Sequence, residues 1–352
     1  MTTRTDTIHD ALDRLAAYDY LDGAGLACHG PMGAEAISSL GFDGEVATWV
    51  DAYVATHPPV EAPPPVDRID PADDRSWRSA LGDFARVSDW RTLFDRQLRE
   101  HPWPAVLERW VPRLVSGYGG GLTHGLLRTA HAVRAVPPDG DPSDLLLGEL
   151  AKGLASWSAW YRPLPGQPHL DGELSLLDAV QAVPRPRQAW SPVEAGMLSR
   201  ISELEPFAEA VEALGPPPST EEALSDLSAT FCSTIVAHPD AMPIGLVHTV
   251  TPVAAARTLL DVVPGMSTDA VYARLWQVDA ALLAGFAPTP RPLGPVSGDR
   301  VGDPAELAAK AIAHGDAHVV KFTEACLREY AIRPDPIYLA AAADLHVRVP
   351  AP

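Results

Sequence analysis

The sequence predicts an all-α fold, a single large multi-helix domain with Pro-rich loops, on three observations. Apolar residues recur at the 3.6-residue helical period nearly everywhere. No stretch shows the two-residue alternation of a strand ladder. The 36 prolines gather mostly between the periodic segments, where they end helices and shape loops.

The segments follow in order. Residues 7–20 place Ile8, Leu12, Leu15 and Ala16 on one helical face. Cys28-His29-Gly30-Pro31-Met32 opens a helix through Leu40, with Pro31 in a first turn where its missing N–H is no loss. Residues 45–56 carry Val46, Trp49, Val50 and Tyr53 on one face, and a Pro-rich loop covers 57–74. Helices are expected at 77–83, 90–98 and 102–115, the last with Trp103, Val106, Leu107, Trp110 and Leu114 aligned. The run Tyr118-Gly119-Gly120-Gly121-Leu122-Thr123-His124 then feeds a helix to Val136. Residues 141–160 read as a long Leu/Ala helix, and 174–183, 192–204 and 206–214 as shorter ones. Residues 221–237, 245–263 and 268–285 read as helices, 287–301 as a Pro-rich loop, and 304–330 and 336–344 as the closing helices. No composition break separates two domains, and no short repeat marks a solenoid.

Charge and composition exclude several function classes. A net charge of −19 argues against nucleic acid or an anionic membrane as partner. No apolar run reaches transmembrane length, and residues 1–10 lack an apolar signal core, so a cytoplasmic setting is expected. Three cysteines make no disulfide framework and read as buried small residues. Oligomeric state is not legible.

The twelve histidines fall into two groups. His9, His57, His101, His169, His238 and His346 lie in termini, loops or helix ends, as surface or capping residues. His29, His124, His131, His248, His314 and His318 sit at helix starts or on apolar faces. One such histidine is usually a satisfied core residue, but several on different helices suit a metal held in a bundle interior. The glycine run before His124 is neither a dinucleotide fingerprint nor a P-loop, since no strand precedes it and no Gly-Lys-Ser/Thr closes it. Its expected task is to let backbone approach a site closely.

Residues 313–324, read as one helix, set His314, His318 and Lys321 at i, i+4 and i+7 on one face. Lys321 is one of only three lysines, and it stands in an apolar helix where arginine serves nearly every other basic position. Burial beside a cation lowers an amine pKa, so Lys321 is a candidate ligand, as neutral amine or as a carbamate formed with carbon dioxide. The competing reading is an ion pair with Asp316 or Glu324. Trp157 and Trp160 either line an aromatic pocket or pack the core.

Together, His29-Gly30-Pro31-Met32 with Ser39-Leu40-Gly41, the Tyr118–His124 run, Val247-His248-Thr249-Val250-Thr251 and Asp316-Ala317-His318-Val319-Val320-Lys321 resemble the questin oxidase family. The resemblance covers most of the chain in order. It implies a Baeyer–Villiger-type oxygenase that uses O2 to open a ring in a small, anthraquinone-like aromatic polyketide. It also implies non-haem iron (Fe2+) on His29, His124, His248 and His318 with Lys321, while NADPH fits the family's description as external reductant. His131 and His314 are left as catalytic rather than ligand residues, and Tyr118, Arg128, Trp157 and Trp160 as substrate contacts. Two alternatives stay open: oxygenation without a cofactor or with NADPH and no bound metal, and a non-catalytic all-α binding protein. No GxGxxG motif follows a strand, so a Rossmann-type flavin domain is not expected.

Overall fold

A computed structural model describes residues 3–137, 141–188, 190, 191, 193, 198–294 and 302–352. Among these the fold is all-α, as the periodicity predicts, and β pairing is limited to isolated bridges such as Tyr118 with Arg162. No helix among the described residues is long and apolar enough to cross a membrane. All three cysteines are buried. The chain forms two compact units, Met1–Arg162 with Asp261–Pro264, and Pro163–Leu260 with Gly265–Pro352.

The first unit begins with α1 (Arg4–Arg14), started by a capping box between Thr3 and Asp6. In α2 (Gly30–Ser39) every residue through Ser38 is buried. Its glycines allow that depth: a Cβ on Gly33 would lie 2.2 Å from the Trp49 ring, and one on Gly30 would lie 2.8 Å from Leu15. Trp49 belongs to α3 (Asp43–Thr56), which buries Val46, Trp49, Val50 and Tyr53 as expected. Next come α4 (Asp74–Ala80), α5 (Val87–Glu100) and α6 (Trp103–Leu114). They meet through edge-to-face contacts of Trp110 with Trp77, Trp90 and Phe94. Two further helices, α7 (His124–Ala135) and α8 (Asp144–Ala159), approach at glycines. A Cβ on Gly125 would lie 2.3 Å from the Trp157 backbone, and one on Gly153 would lie 2.9 Å from the Thr129 backbone.

The second unit runs through α9 (Leu176–Ala182), α10 (Phe207–Glu212) and α11 (Ala223–Ala237). Two long helices expected from the sequence are broken here. The segment 245–263 becomes α12 (Pro243–Leu246), a 3-10 turn at Val247–Thr249, and α13 (Thr251–Val262). Pro252 explains the break: it has no N–H for the carbonyl four residues back, and its ring clashes there, so the helix restarts at its first turn. After α14 (Thr268–Phe286), the segment 304–330 splits into α15 (Pro304–His314) and α16 (Ala317–Ile332). Gly315, at φ 84°, closes the first of these in the left-handed region, and Asp316 caps the second by accepting from the His318 and Val319 N–H groups. His314 and Lys321 therefore do not share a helix, which corrects the single-face reading of 313–324. The last helix is α17 (Pro336–Arg348). A buried network joins four helices: Glu329 accepts from Arg257 Nε at 2.9 Å and Ser228 Oγ at 3.2 Å, and Ser228 bonds Tyr338 Oη at 2.7 Å.

In the expected helix 192–204, residues 192 and 194–197 lie outside the described residues. The described end holds only a turn and a 3-10 turn at Ile201–Glu203. Residues 287–294 are irregular, as expected, and 295–301 lie outside the described residues.

Candidate metal centre

Two histidines of the first unit meet directly. His29 stands at the N-cap of α2, its own N–H donating to Tyr53 Oη at 3.0 Å. His124 is the first residue of α7, behind three consecutive left-handed residues: Gly121 (φ 56°), Leu122 (φ 51°) and Thr123 (φ 63°). For Leu and Thr that conformation is unfavourable by about 1–2 kcal/mol each. The turn packs without room for side chains at its glycines: a Cβ on Gly120 would lie 1.5 Å from the Trp160 carbonyl oxygen and one on Gly121 would lie 2.8 Å from the Trp160 ring. The close approach predicted for the glycine run is thus made onto the end of α8, and its product is the position of His124.

The His124 tautomer follows from its neighbours. Nδ1 lies 2.6 Å from the Gly121 carbonyl oxygen, which can only accept, so Nδ1 donates and Nε2 carries a lone pair. That Nε2 lies 2.9 Å from His29 Nε2, with the rings edge to face. Two donors each about 2.0–2.1 Å from one ion, at right angles, stand about 2.9 Å apart. The pair fits two adjacent ligand positions.

The second unit holds His248, His318 and Lys321. His248 lies in the 3-10 turn before α13, 1% exposed. His318 lies in the first turn of α16, and the two rings stand edge to face with centroids 6.2 Å apart. Asp316 Oδ1 lies 3.5 Å from His318 Nδ1 and orients that ring, as a carboxylate behind a metal-binding imidazole does. Burial lowers the His318 pKa, the nearby Lys321 charge adds to the lowering, and the Asp316 hydrogen bond and charge oppose it. Burial raises the Asp316 carboxyl, but hydrogen bonds and charge from His318 and the backbone N–H groups of His318 and Val319 outweigh it, to about 2. Lys321, one turn on, is 4% exposed. Imidazole donors suit a first-row transition metal.

Residues 35–326 match the questin oxidase-like family, which is most of the chain. The chain belongs to the questin oxidase-like family. No curated protein matches it. Membership supports an oxidoreductase of the oxygenase type acting on an aromatic polyketide. The matched span includes His124, His248, His318 and Lys321 of this questin oxidase-like chain, while His29 precedes it.

The other candidates have identifiable surroundings. His131 Nδ1 donates to Glu35 Oε2 at 2.6 Å, both groups buried. His314 closes α15 with Nε2 donating to the Val349 carbonyl at 2.9 Å and Nδ1 accepting the Asp316 N–H at 3.4 Å, a capping arrangement. Arg128 is buried in a two-bond ion pair with Glu149 (2.6 and 2.9 Å) and also donates to the Asp19 carbonyl, so its guanidinium is engaged within the protein. Tyr118 and Trp157 stack at 5.4 Å inside the first unit, and their hydroxyl and indole N–H have no hydrogen-bond partner among the described residues. Trp160 stacks on Phe84 at 5.5 Å. Of the histidines expected at surfaces or caps, His238 is a buried cap, bonded to the Thr234 and Thr289 carbonyls. Burial, with His314 and Lys310 nearby, lowers His346 to about 4.

Sequence reasoning missed Glu35 and Asp279, and it weighed Asp316 only as an ion-pair partner of Lys321, not as the helix cap beside His318. Glu35 in Gly-Pro-Met-Gly-Ala-Glu-Ala-Ile and Asp279 in Trp-Gln-Val-Asp-Ala-Ala-Leu-Leu share a signal: a lone acid inside an apolar helix. Asp316 could have been found as the cap that follows a helix-ending glycine.

Proposed function

We propose that this protein is a non-haem iron oxygenase of an anthraquinone-like aromatic polyketide, inserting oxygen and opening a ring in a Baeyer–Villiger-type reaction. His29, His124 and His318 are the donors assigned to the ion first, joined by His248 and Lys321. The observation that carries the reading is the His29–His124 pair: two buried Nε2 atoms 2.9 Å apart, one with its lone pair fixed outward by the Gly121 carbonyl. Bound there, iron(II) would supply the activation of dioxygen.

The chain's own residues supply the rest of this reading. Neutral imidazoles offset none of the ion's charge, so an anionic ligand is favoured electrostatically. Lys321 is assigned that role: its neutral amine would add to carbon dioxide, an N–C bond forming as one C=O π pair moves onto oxygen and the ammonium proton passes to solvent, and the resulting carbamate would supply an anionic oxygen donor for the ion. His131, paired with Glu35, is assigned as an acid–base residue. The small aromatic substrate and O2 meet in a setting without nucleic acid or membrane, with NADPH as an external reductant.

Metal analysis of freshly purified protein, with oxygen uptake on an anthraquinone-type substrate, tests the reading. Iron close to one per chain, and loss of both iron and uptake in His124→Ala, are expected. Metal-free protein that turns over substrate at the full rate would move the chemistry to a histidine base acting on a phenol-type substrate. For Lys321, Lys321→Arg should lose metal and Lys321→Glu retain part of it. Full iron content and activity in the Arg variant would end the ligand role.

A further inference from the structure

The helices that begin at His29 and His124 are joined a second time. Glu35 lies in the second turn of α2, six residues after His29, and His131 lies two turns along α7, seven residues after His124. Their hydrogen bond, 2.6 Å from His131 Nδ1 to Glu35 Oε2, links the same two helices that the histidine pair links. One contact between two rods leaves them free to rotate about it, whereas two contacts fix rotation as well as separation.

Glu35 is built as an anchor. Its other oxygen, Oε1, accepts from Ser39 Oγ at 2.6 Å and Arg4 Nη2 at 2.6 Å, and pairs with Arg134 Nη2 at 3.3 Å. Arg4 also donates to Ser39 Oγ at 2.9 Å, so the carboxylate is held from α1, α2 and α7 together. Helix pairing alone does not call for a buried carboxylate, since apolar side chains of similar volume would pack there without desolvating a charge. What the network adds is a fixed register between the starts of the two helices.

We propose that Glu35, acting through His131, is a positioning residue that holds His29 and His124 at ligand spacing. Its purpose rests on the metal reading above, but its geometry belongs to the first unit alone. The test therefore has a metal-independent arm. With Nδ1 of His124 protonated, the bond between the two Nε2 atoms requires His29 Nε2–H as donor, which gives a downfield imidazole proton in the metal-free protein. That signal is followed by proton–nitrogen NMR in wild type, Glu35→Gln and Gln97→Met. The last removes a different buried hydrogen bond of the first unit, from Trp110 Nε1 to Gln97 Oε1 (2.6 Å) between α5 and α6. Cobalt(II) is then titrated into each protein.

Glu35→Gln should lose or shift the signal and bind cobalt(II) about tenfold or more weakly, with altered visible bands, as loss of an orienting partner does. Gln97→Met should lower Tm yet keep both the signal and the affinity. Should Glu35→Gln not fold, His131→Phe removes the donor of the bond to Glu35 and carries the same expectation. A wild-type signal with cobalt affinity within about twofold of wild type in the position-35 or position-131 variant would overturn the inference. Wild-type protein that binds no cobalt(II) would overturn the metal reading instead, and the NMR arm would still decide whether Glu35 sets the spacing.

Discussion

Two buried carboxylates, one in each unit, show opposite solutions to the same problem. Glu35 on α2 is 2% exposed and has four side-chain partners, Arg4, Ser39, His131 and Arg134. Burial pushes its pKa up, but the Arg134 charge, the hydrogen bond and charge of His131 and the Ser39 hydroxyl outweigh burial, and the carboxyl lies well below its usual range. Asp279 on α14 is 0% exposed, and neither carboxylate oxygen has a hydrogen-bond partner among the described residues. Burial alone pushes that carboxyl well above its usual range. An acid that is fully partnered stays charged and fixes its neighbours, whereas one left without partners takes up a proton and weakens the fold. Glu35 lies between the helices that present His29 and His124, so the partnered acid is the one tied to the candidate centre.

The largest effect is expected from breaking the first arrangement. Glu35→Ala leaves Arg134 and His131 facing an empty site, and removing one partner of a buried ion pair is unfavourable by about 3–5 kcal/mol. Urea unfolding at neutral pH should place the variant near the top of that range below wild type if all four contacts act together. A loss under about 1 kcal/mol would show that water replaces the carboxylate, and the contrast with Asp279 would collapse.

The opposite sign is expected from the second. Asp279→Leu replaces a solitary buried acid by an apolar side chain of similar size, and removing an unsatisfied buried polar group relieves a desolvation penalty of about 1–3 kcal/mol. Thermal unfolding at neutral pH should show a raised Tm. A lowered Tm would mean that the carboxyl makes an interaction in the folded protein worth more than its desolvation.

The contrast also marks what the sequence could carry. Helical periodicity was legible because the apolar stripes of α3 and α6 repeat over several turns, and the buried Trp49, Tyr53 and Trp110 are those the period selects. Breaks were not visible in the period, which says nothing about a single residue; their signal lay in the proline and the glycine themselves. Pro252 and Gly315 each interrupt an unbroken apolar pattern, and the second of these separates His314 from His318. At the site, residue type and helix position singled out His29 and His124, and family resemblance raised their weight. The Gly121 carbonyl that sets the His124 tautomer comes from a residue with no chemical signature until the fold brings it close, and the Glu35 carboxylate behind His131 shows in the sequence only as a lone acid in an apolar helix.

The smallest effect, and the sharpest separation of the two acids, lies in pH. Glu35 is charged in the fold with its pKa depressed below 4.5, so its stabilisation is complete above that value and is lost as pH falls through it toward the folded pKa. Asp279 has the raised pKa: the unfolded chain ionises near 3.8, while the folded protein keeps the proton. Its destabilisation is absent below that value and grows as pH rises, by up to about 1.4 kcal/mol per pH unit until the folded pKa is reached. Unfolding of wild type, Glu35→Gln and Asp279→Leu should therefore be compared at pH 7, 5.5 and 4. The deficit of the first variant should hold from pH 7 to 5.5 and begin to shrink near 4. The gain of the second should shrink as pH falls from 7 toward 4, where only the packing difference between Asp and Leu should remain. A gain that does not change with pH would assign it wholly to packing and leave Asp279 ionised in the fold.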